Sequence, residues 1–381
     1  MNKAFIAGIK FFKQETVFCV SFVLAVISAF IVMPDGIYRT YPDYRTLALL
    51  FCLMIIVAGF QSHGVFALLG QSLIKRANGT RKLSVIMVLL CFFCSMVITN
   101  DVTLITFVPF TIQVYRMIGK EEKLLKVVVL ETIGANLGSM ATPIGNPQNI
   151  YLCSISEISM GRFFQAVLPY AGLALVMLLL VLWKETDEIF AGNIVGTQET
   201  EKKEGLFAAL LPYLFLLGLC LLVVFRVLPY GPVLVCVAVV IFFVNRKLFK
   251  SVDYVLLLTF LCFFVFIGNM KRMPAVSSLL VSMVKGKELW AGILASQVIS
   301  NVPAAVLLSG FTGNYGELLT GVNLGGLGTL IASLASLISF KFYSREFPSK
   351  KGAFFKGFTL WNVVFLGILA VAAGVLSRCF A

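Results

Sequence analysis

The chain has 381 residues, of which 59% are hydrophobic and 13% charged, and its mean hydropathy is +0.96. That balance excludes a soluble domain and fits an integral membrane protein with many spans. The net charge of +13 does not point to nucleic acid: the basic residues flank apolar segments, where they act as topology signals, and no docking motif accompanies them.

In chain order, Lys3, Lys10 and Lys13 precede an apolar run as in a signal peptide, but the run reads as a first span at about 16–33. A second span follows at 44–61, then a short interfacial helix at 62–78 ending in Lys75-Arg76. Two apolar arms, 83–99 and 102–118, meet at Asn100-Asp101. A 17-residue arm reaches roughly 25 Å, short of a ~30 Å hydrocarbon core, so the pair reads as a re-entrant hairpin (83–118). Residues 124–153 contain Thr142-Pro143-Ile-Gly145-Asn146-Pro147. Each proline removes an N–H and blocks helix continuation. The freed carbonyls survive at membrane depth only where they line a protein cavity, so this is a broken helix. A span at 163–183 and a polar connector from Lys184 to Gly205 complete the first half.

The second half opens with a linker span at 206–228, then spans at about 232–245 and 252–269 and an interfacial stretch at 273–286. A second hairpin (288–312) turns at Ser300-Asn301. A second interrupted segment (317–341) and a last span (354–377) follow. The halves echo each other: Thr99-Asn100-Asp101 against Ser300-Asn301-Val302, and Asn136-Leu-Gly against Asn323-Leu-Gly325. The expected fold is all-α, with about nine spanning helices, two hairpins and two broken helices in two inverted repeats, 1–183 and 229–381, joined by 184–228. Most Lys and Arg then fall inside, which places the N-terminus in the cytoplasm; Lys271-Arg272 on the outer side fit that bias least well.

These residues resemble the ion transporter superfamily, which holds arsenite permeases, sodium/proton antiporters of the NhaD type and divalent anion/sodium symporters. Residues 99–109 are similar to the first hairpin tip of the arsenite permease branch, and 134–149 to the broken helix shared across the group. The resemblance covers nearly the whole chain. It implies an elevator-type secondary transporter of the inner membrane, closest to the arsenite permease-like and citrate-transporter-like anion permeases, with no enzymatic activity. The symporters carry Ser-Asn-Thr at both tips. The departures here turn the expectation from a carboxylate with paired sodium sites towards a small inorganic or organic anion or oxyacid. The alternative is a sodium/proton antiporter.

Thr99, Asn100, Asn136, Ser300, Asn301, Asn323 and Gly325 are the candidate substrate residues; their amides and hydroxyls could equally satisfy broken backbone. Asp101, Glu131, Thr142, Gly145 and Asn146 are the candidates for ion coupling, with proton or sodium as the coupling ion. A carboxylate at a mid-membrane tip is costly, hence a functional candidate; Asp101 could instead cap the second arm, and Glu131 could pair with a base such as Arg116. No cofactor, metal or catalytic residue is expected. Cys91-Phe-Phe-Cys94 lies in an apolar helix without a partner pair, and no HExxH, GxSxG or P-loop is present. The lipid bilayer is the expected environment, and a homodimer is compatible with it.

Overall fold

The structure, a computed structural model, describes residues 15–74, 77–156, 158–189 and 205–380. Lys3, Lys10, Lys13, Lys75 and Arg76, which carried part of the orientation argument, and most of the polar connector lie outside the described residues. The described residues form seventeen α-helices. These are α1 (Thr16–Ile31), α2 (Tyr44–Ser62), α3 (Val65–Ile74), α4 (Thr80–Ile98), α5 (Asn100–Met117), α6 (Leu124–Ser139), α7 (Pro147–Ile155), α8 (Met160–Trp183) and α9 (Leu206–Val224). They continue with α10 (Tyr230–Asn245), α11 (Tyr254–Lys271), α12 (Pro274–Val284), α13 (Glu288–Ile299), α14 (Asn301–Ser309), α15 (Tyr315–Leu324), α16 (Leu334–Glu346) and α17 (Lys351–Phe380). The protein is an all-α membrane protein.

Among the described residues, seven helical stretches are long and apolar enough to cross a membrane. Six coincide with expected spans, and the seventh is α4, the first arm of the first hairpin. It starts at Thr80, earlier than the sequence suggested, and its 19 residues reach roughly 28 Å. Length alone therefore does not separate it from a span; at Thr99 the chain turns and α5 returns along α4. The remaining expected spans are α1, apolar but shorter, and the two interrupted segments. The first breaks at 140–146 between α6 and α7, the second at 325–333 between α15 and α16.

The helices sort into two groups by what they pack against. In one, α11 lies along α1, and α2 packs on α9, α10 and α11. A polar stitch holds the α1–α11 pair. Asn269 is fully buried, donates to Ser28 Oγ at 3.0 Å and accepts from the Tyr41 hydroxyl at 3.2 Å. Arg272 donates to the same hydroxyl at 3.1 Å and meets Asp35 at 2.8 Å. That hydrogen bond holds the Asp35 carboxyl below the usual carboxylate range. Arg272, which sat awkwardly in the charge bias, is thus a paired structural cation.

The second group holds both hairpins and both broken helices. α4 packs along α6, and α13 packs along α15, with α8 and α17 covering them. The crossings are closer than side chains allow. A Cβ on Gly138 would lie 2.0 Å from the Phe92 carbonyl oxygen, and one on Gly321 would lie 2.4 Å from that of Leu289. Only glycine permits backbones to approach so far. The two groups touch where α7 meets α2 and α9, and where α14 meets α11.

Candidate functional site

Both hairpin tips are built alike. Thr99 has φ 70°, ψ 154° and Ser300 φ 73°, ψ 155°. A side-chain-bearing residue in that region costs about 1–3 kcal/mol, so both tips are strained in the same way. The next residue relieves part of the cost: Asn100 Oδ1 accepts the Asp101 N–H at 3.0 Å, and Asn301 Oδ1 accepts the Val302 N–H at 2.9 Å. The cap at the first tip is therefore Asn100, and the expectation that the Asp101 carboxylate fills that role does not hold. That carboxylate is half-buried and makes no hydrogen bond or ion pair with any described residue.

From the tips a chain of amides and hydroxyls runs through both breaks. Asn100 Nδ2 donates to Asn136 Oδ1 at 2.9 Å, which also accepts from Ser333 Oγ at 3.0 Å; Asn136 Nδ2 reaches Ser336 Oγ at 3.4 Å. Beside Ser333, the Ala332 carbonyl accepts the Asn301 N–H at 2.9 Å. The two tips thus converge on one locus. In the reciprocal arrangement, Asn323 Oδ1 accepts from Asn146 Nδ2 at 2.9 Å and Asn323 Nδ2 donates to Asn149 Oδ1 at 2.7 Å. Each break is cross-braced by the asparagine of the other half. Ser139 joins the clusters, accepting from Asn146 at 3.2 Å and donating to the Asn136 carbonyl at 2.9 Å.

The structure accordingly brings together Thr99, Asn100, Asn136, Ser300, Asn301, Asn323 and Asn146. Thr142 and Gly145 serve the break itself. Thr142 Oγ1 donates to the Met96 carbonyl at 2.5 Å, and a Cβ on Gly145 would meet the Ser139 carbonyl at 2.1 Å. Gly325 lies in the second break and presents its carbonyl to Gln297 Nε2 at 2.9 Å. Glu131 stands apart from this network. It is fully buried, accepts from Thr111 Oγ1, and leaves Oε2 without a described partner. Arg116 does not pair with it; it binds Glu346 at 2.6 Å and Glu121 at 3.3 Å at the surface.

Five residues of the network escaped the sequence reading: Ser139, Asn149, Ser333, Ser336 and Gln297. A signal existed for three of them. Asn146 and Asn149 follow Asn136 by ten and thirteen residues, and Ser333 and Ser336 follow Asn323 by the same intervals. An open cavity of about 1140 Å³ between α8 and the start of α15, lined in part by Arg162, Tyr170, Glu317 and Thr320, contains none of the predicted site residues.

Paired helical hairpins with matched strained tips, set against two cross-braced broken helices in a bundle of long apolar helices, mark a membrane transporter. Residues 13–313 match the model of the citrate transporter family, and the chain belongs to that family. It is 35% identical to the inner membrane protein YbiR of Escherichia coli over 78% of this chain and 80% of that protein. A Methanocaldococcus jannaschii protein described as an uncharacterized transporter is 32% identical over 78% of this chain and 81% of its own length. The silicon efflux transporter LSI3 of Oryza sativa subsp. japonica is 32% identical, but over 46% of this chain and 38% of that protein.

Proposed function

We propose that this chain is a secondary permease for a small, weakly charged oxyacid or oxyanion, coupled to protons or sodium and working by an elevator movement. One observation carries the reading. The locus where the tips converge is made of amides and hydroxyls, and no Lys or Arg bonds to any member of it among the described residues. A multiply charged carboxylate stripped of water would need cationic partners. A weak oxyacid needs hydrogen-bond donors and acceptors, and the site offers both. Asn301 Nδ2 makes no hydrogen bond with any described residue, so it is available as a donor. The helices α5 and α14 begin at the tips, and their positive ends suit developing negative charge. The relative named for silicon efflux is consistent with an oxyacid of this kind.

Asp101 supplies the coupling. Beside a bound acid, its carboxyl is tolerable only with a proton or a cation, so solute and ion would load together. Glu131, buried without a counter-charge, is the second candidate for proton traffic. The group holding both hairpins, with α8 and α17, would slide against the group holding α1, α2 and α9–α11. The N-terminus would lie in the cytoplasm and the protein in an inner membrane; a homodimer would anchor the static group.

The test is flux in proteoliposomes under imposed proton or sodium gradients, with arsenite, silicate, phosphate and citrate as candidate solutes. The expected result is gradient-driven movement of a small oxyacid in preference to citrate, uncoupled in Asp101→Asn. Proton exchange for sodium without any solute, abolished in Asp101→Asn, would instead identify an antiporter. Preferential citrate movement would overturn the substrate class.

A further inference from the structure

The second break contains a carbonyl cage already filled by a side-chain nitrogen. Gln297 sits on α13, three residues before the strained tip. Its Nε2 donates to the carbonyls of Gly325 and Leu327, each at 2.9 Å, with the Ile293 carbonyl at 3.2 Å. Its Oε1 accepts the Thr329 N–H at 2.9 Å. That last bond fixes the amide orientation, because reversing the group would set oxygen against carbonyls and NH₂ against an N–H. The loop is shaped to the side chain: Gly328 has φ 106°, and a Cβ there would lie 2.2 Å from Gln297 Oε1.

The first break is built differently. Its carbonyl at the position matching Leu327 is Met140, which is held at 3.2 Å by Asn149, an amide from within the broken helix. The residue matching Gln297 on the first hairpin is Met96, which offers no N–H from its side chain. Only in the second half does the hairpin itself insert a donor among the carbonyls. Converging backbone carbonyls at membrane depth are what strips and holds a monovalent cation. A carboxamide NH₂ presents partial positive charge to the same oxygens, but permanently.

We propose that the Gln297 carboxamide is a built-in substitute for an alkali cation, so that the second break is held together without one. The side chain fills a latent monovalent-cation site formed by the carbonyls of Ile293, Gly325 and Leu327. This inference concerns the chain's own architecture and does not depend on which solute is moved.

The experiment compares thermal unfolding of purified full-length protein in sodium, potassium and choline chloride at equal ionic strength. The variants are Gln297→Ala, Gln297→Glu and Gln297→Lys. Gln297→Ala opens the cage, and Gln297→Glu replaces the donor with an oxygen that repels the carbonyls unless a cation bridges them. Both should show a larger stabilisation by sodium or potassium over choline than the wild type shows. The effect should be greatest in Gln297→Glu, where several degrees in Tm are expected. Gln297→Lys, which restores a nitrogen donor, should show no increase over wild type. Should Gln297→Ala fail to fold, the contrast between the Glu and Lys variants still decides. An alkali-cation increment in Gln297→Glu no larger than that of wild type would overturn the proposal, as would an equal increment in Gln297→Lys.

Discussion

At single residues, the tips pose the sharpest energetic question. Thr99 and Ser300 occupy a backbone region that is essentially reserved for glycine, yet neither is glycine. The strain of about 1–3 kcal/mol each exceeds the ~0.5–1 kcal/mol by which glycine's extra freedom penalises the folded state. Thr99→Gly and Ser300→Gly should therefore leave stability unchanged or raise it by up to about 2 kcal/mol. If the hydroxyls serve the solute, flux should fall at the same time. Thermal unfolding and transport measured on the same preparations test this split; a clear loss of stability would show that the hydroxyls hold the tips rather than the cargo. Glycine contacts make the opposite case. Gly138→Ala drives a methyl group into the Phe92 carbonyl, and overpacking typically costs 1–3 kcal/mol. Because backbone rather than a flexible side chain must yield, a loss of about 3 kcal/mol or more is expected. It would be seen as loss of the monodisperse peak in gel filtration. Gly172→Ala, with nothing within 4 Å of the added Cβ, is the control and should behave as wild type.

At the level of elements, what the sequence made legible depended on which signals are rare in membrane helices. Pro143 and Pro147 block helix continuation and Gly145 weakens it, so the first break could be read directly. The second break contains no proline between Gly321 and Ser333; its glycine run and its likeness to the first gave it away. The tips were legible because polar pairs such as Asn100-Asp101 interrupt apolar runs. Ser333 and Ser336 were not, since serine is common in membrane helices and its role appears only when the two copies are aligned and brought face to face. Gln297 had no counterpart at Met96, so repeat symmetry pointed away from it. The length of α4 was misjudged because its polar start at Thr80-Arg81-Lys82 does not look apolar. Those residues are held by an extended strap, Glu185–Glu188, that follows α8. Thr80 N–H donates to the Glu188 carbonyl at 3.0 Å, and the Arg81 N–H to Asp187 at 3.0 Å. Lys120, and then Lys123 at 2.8 Å, hold the Glu188 carboxyl down to a pKa of about 2. A depressed carboxyl contributes fully above its usual value near 4.5 and loses that contribution as pH falls towards the folded value. The strap should stay closed at neutral pH and release between about pH 4.5 and 2. Hydrogen exchange at the Thr80 amide, corrected for intrinsic rate and referenced to Val128 in the core, would show the step. Glu188→Gln should abolish it; an identical acid profile in that variant would rule the strap out as its origin.

For the whole molecule, the decisive property is whether the two helix groups move as bodies. Aromatic and polar contacts join them. Tyr151 on α7 packs against Phe264 on α11 with ring centroids 5.7 Å apart, while its hydroxyl meets Ser309 Oγ on α14 at 2.8 Å. The first contact joins the groups and the second lies within one. Arg226, after α9, donates to the carbonyls of Cys153 and Ser154 at 3.2 and 3.3 Å, so it ties the end of α7 to the group that holds α9. An elevator movement must break the Tyr151–Phe264 and Arg226 contacts and leave the Tyr151–Ser309 contact intact, because packed cores shift between discrete arrangements rather than deforming continuously. In a background freed of the nine native cysteines, a short thiol cross-link between Tyr151→Cys and Phe264→Cys should stop flux nearly completely, with recovery on cleavage of the link. The same linker between Tyr151→Cys and Ser309→Cys should leave most of the rate. Equal inhibition by both would mean that α7 and α14 move relative to each other, and the moving unit would then be a single hairpin rather than the whole group.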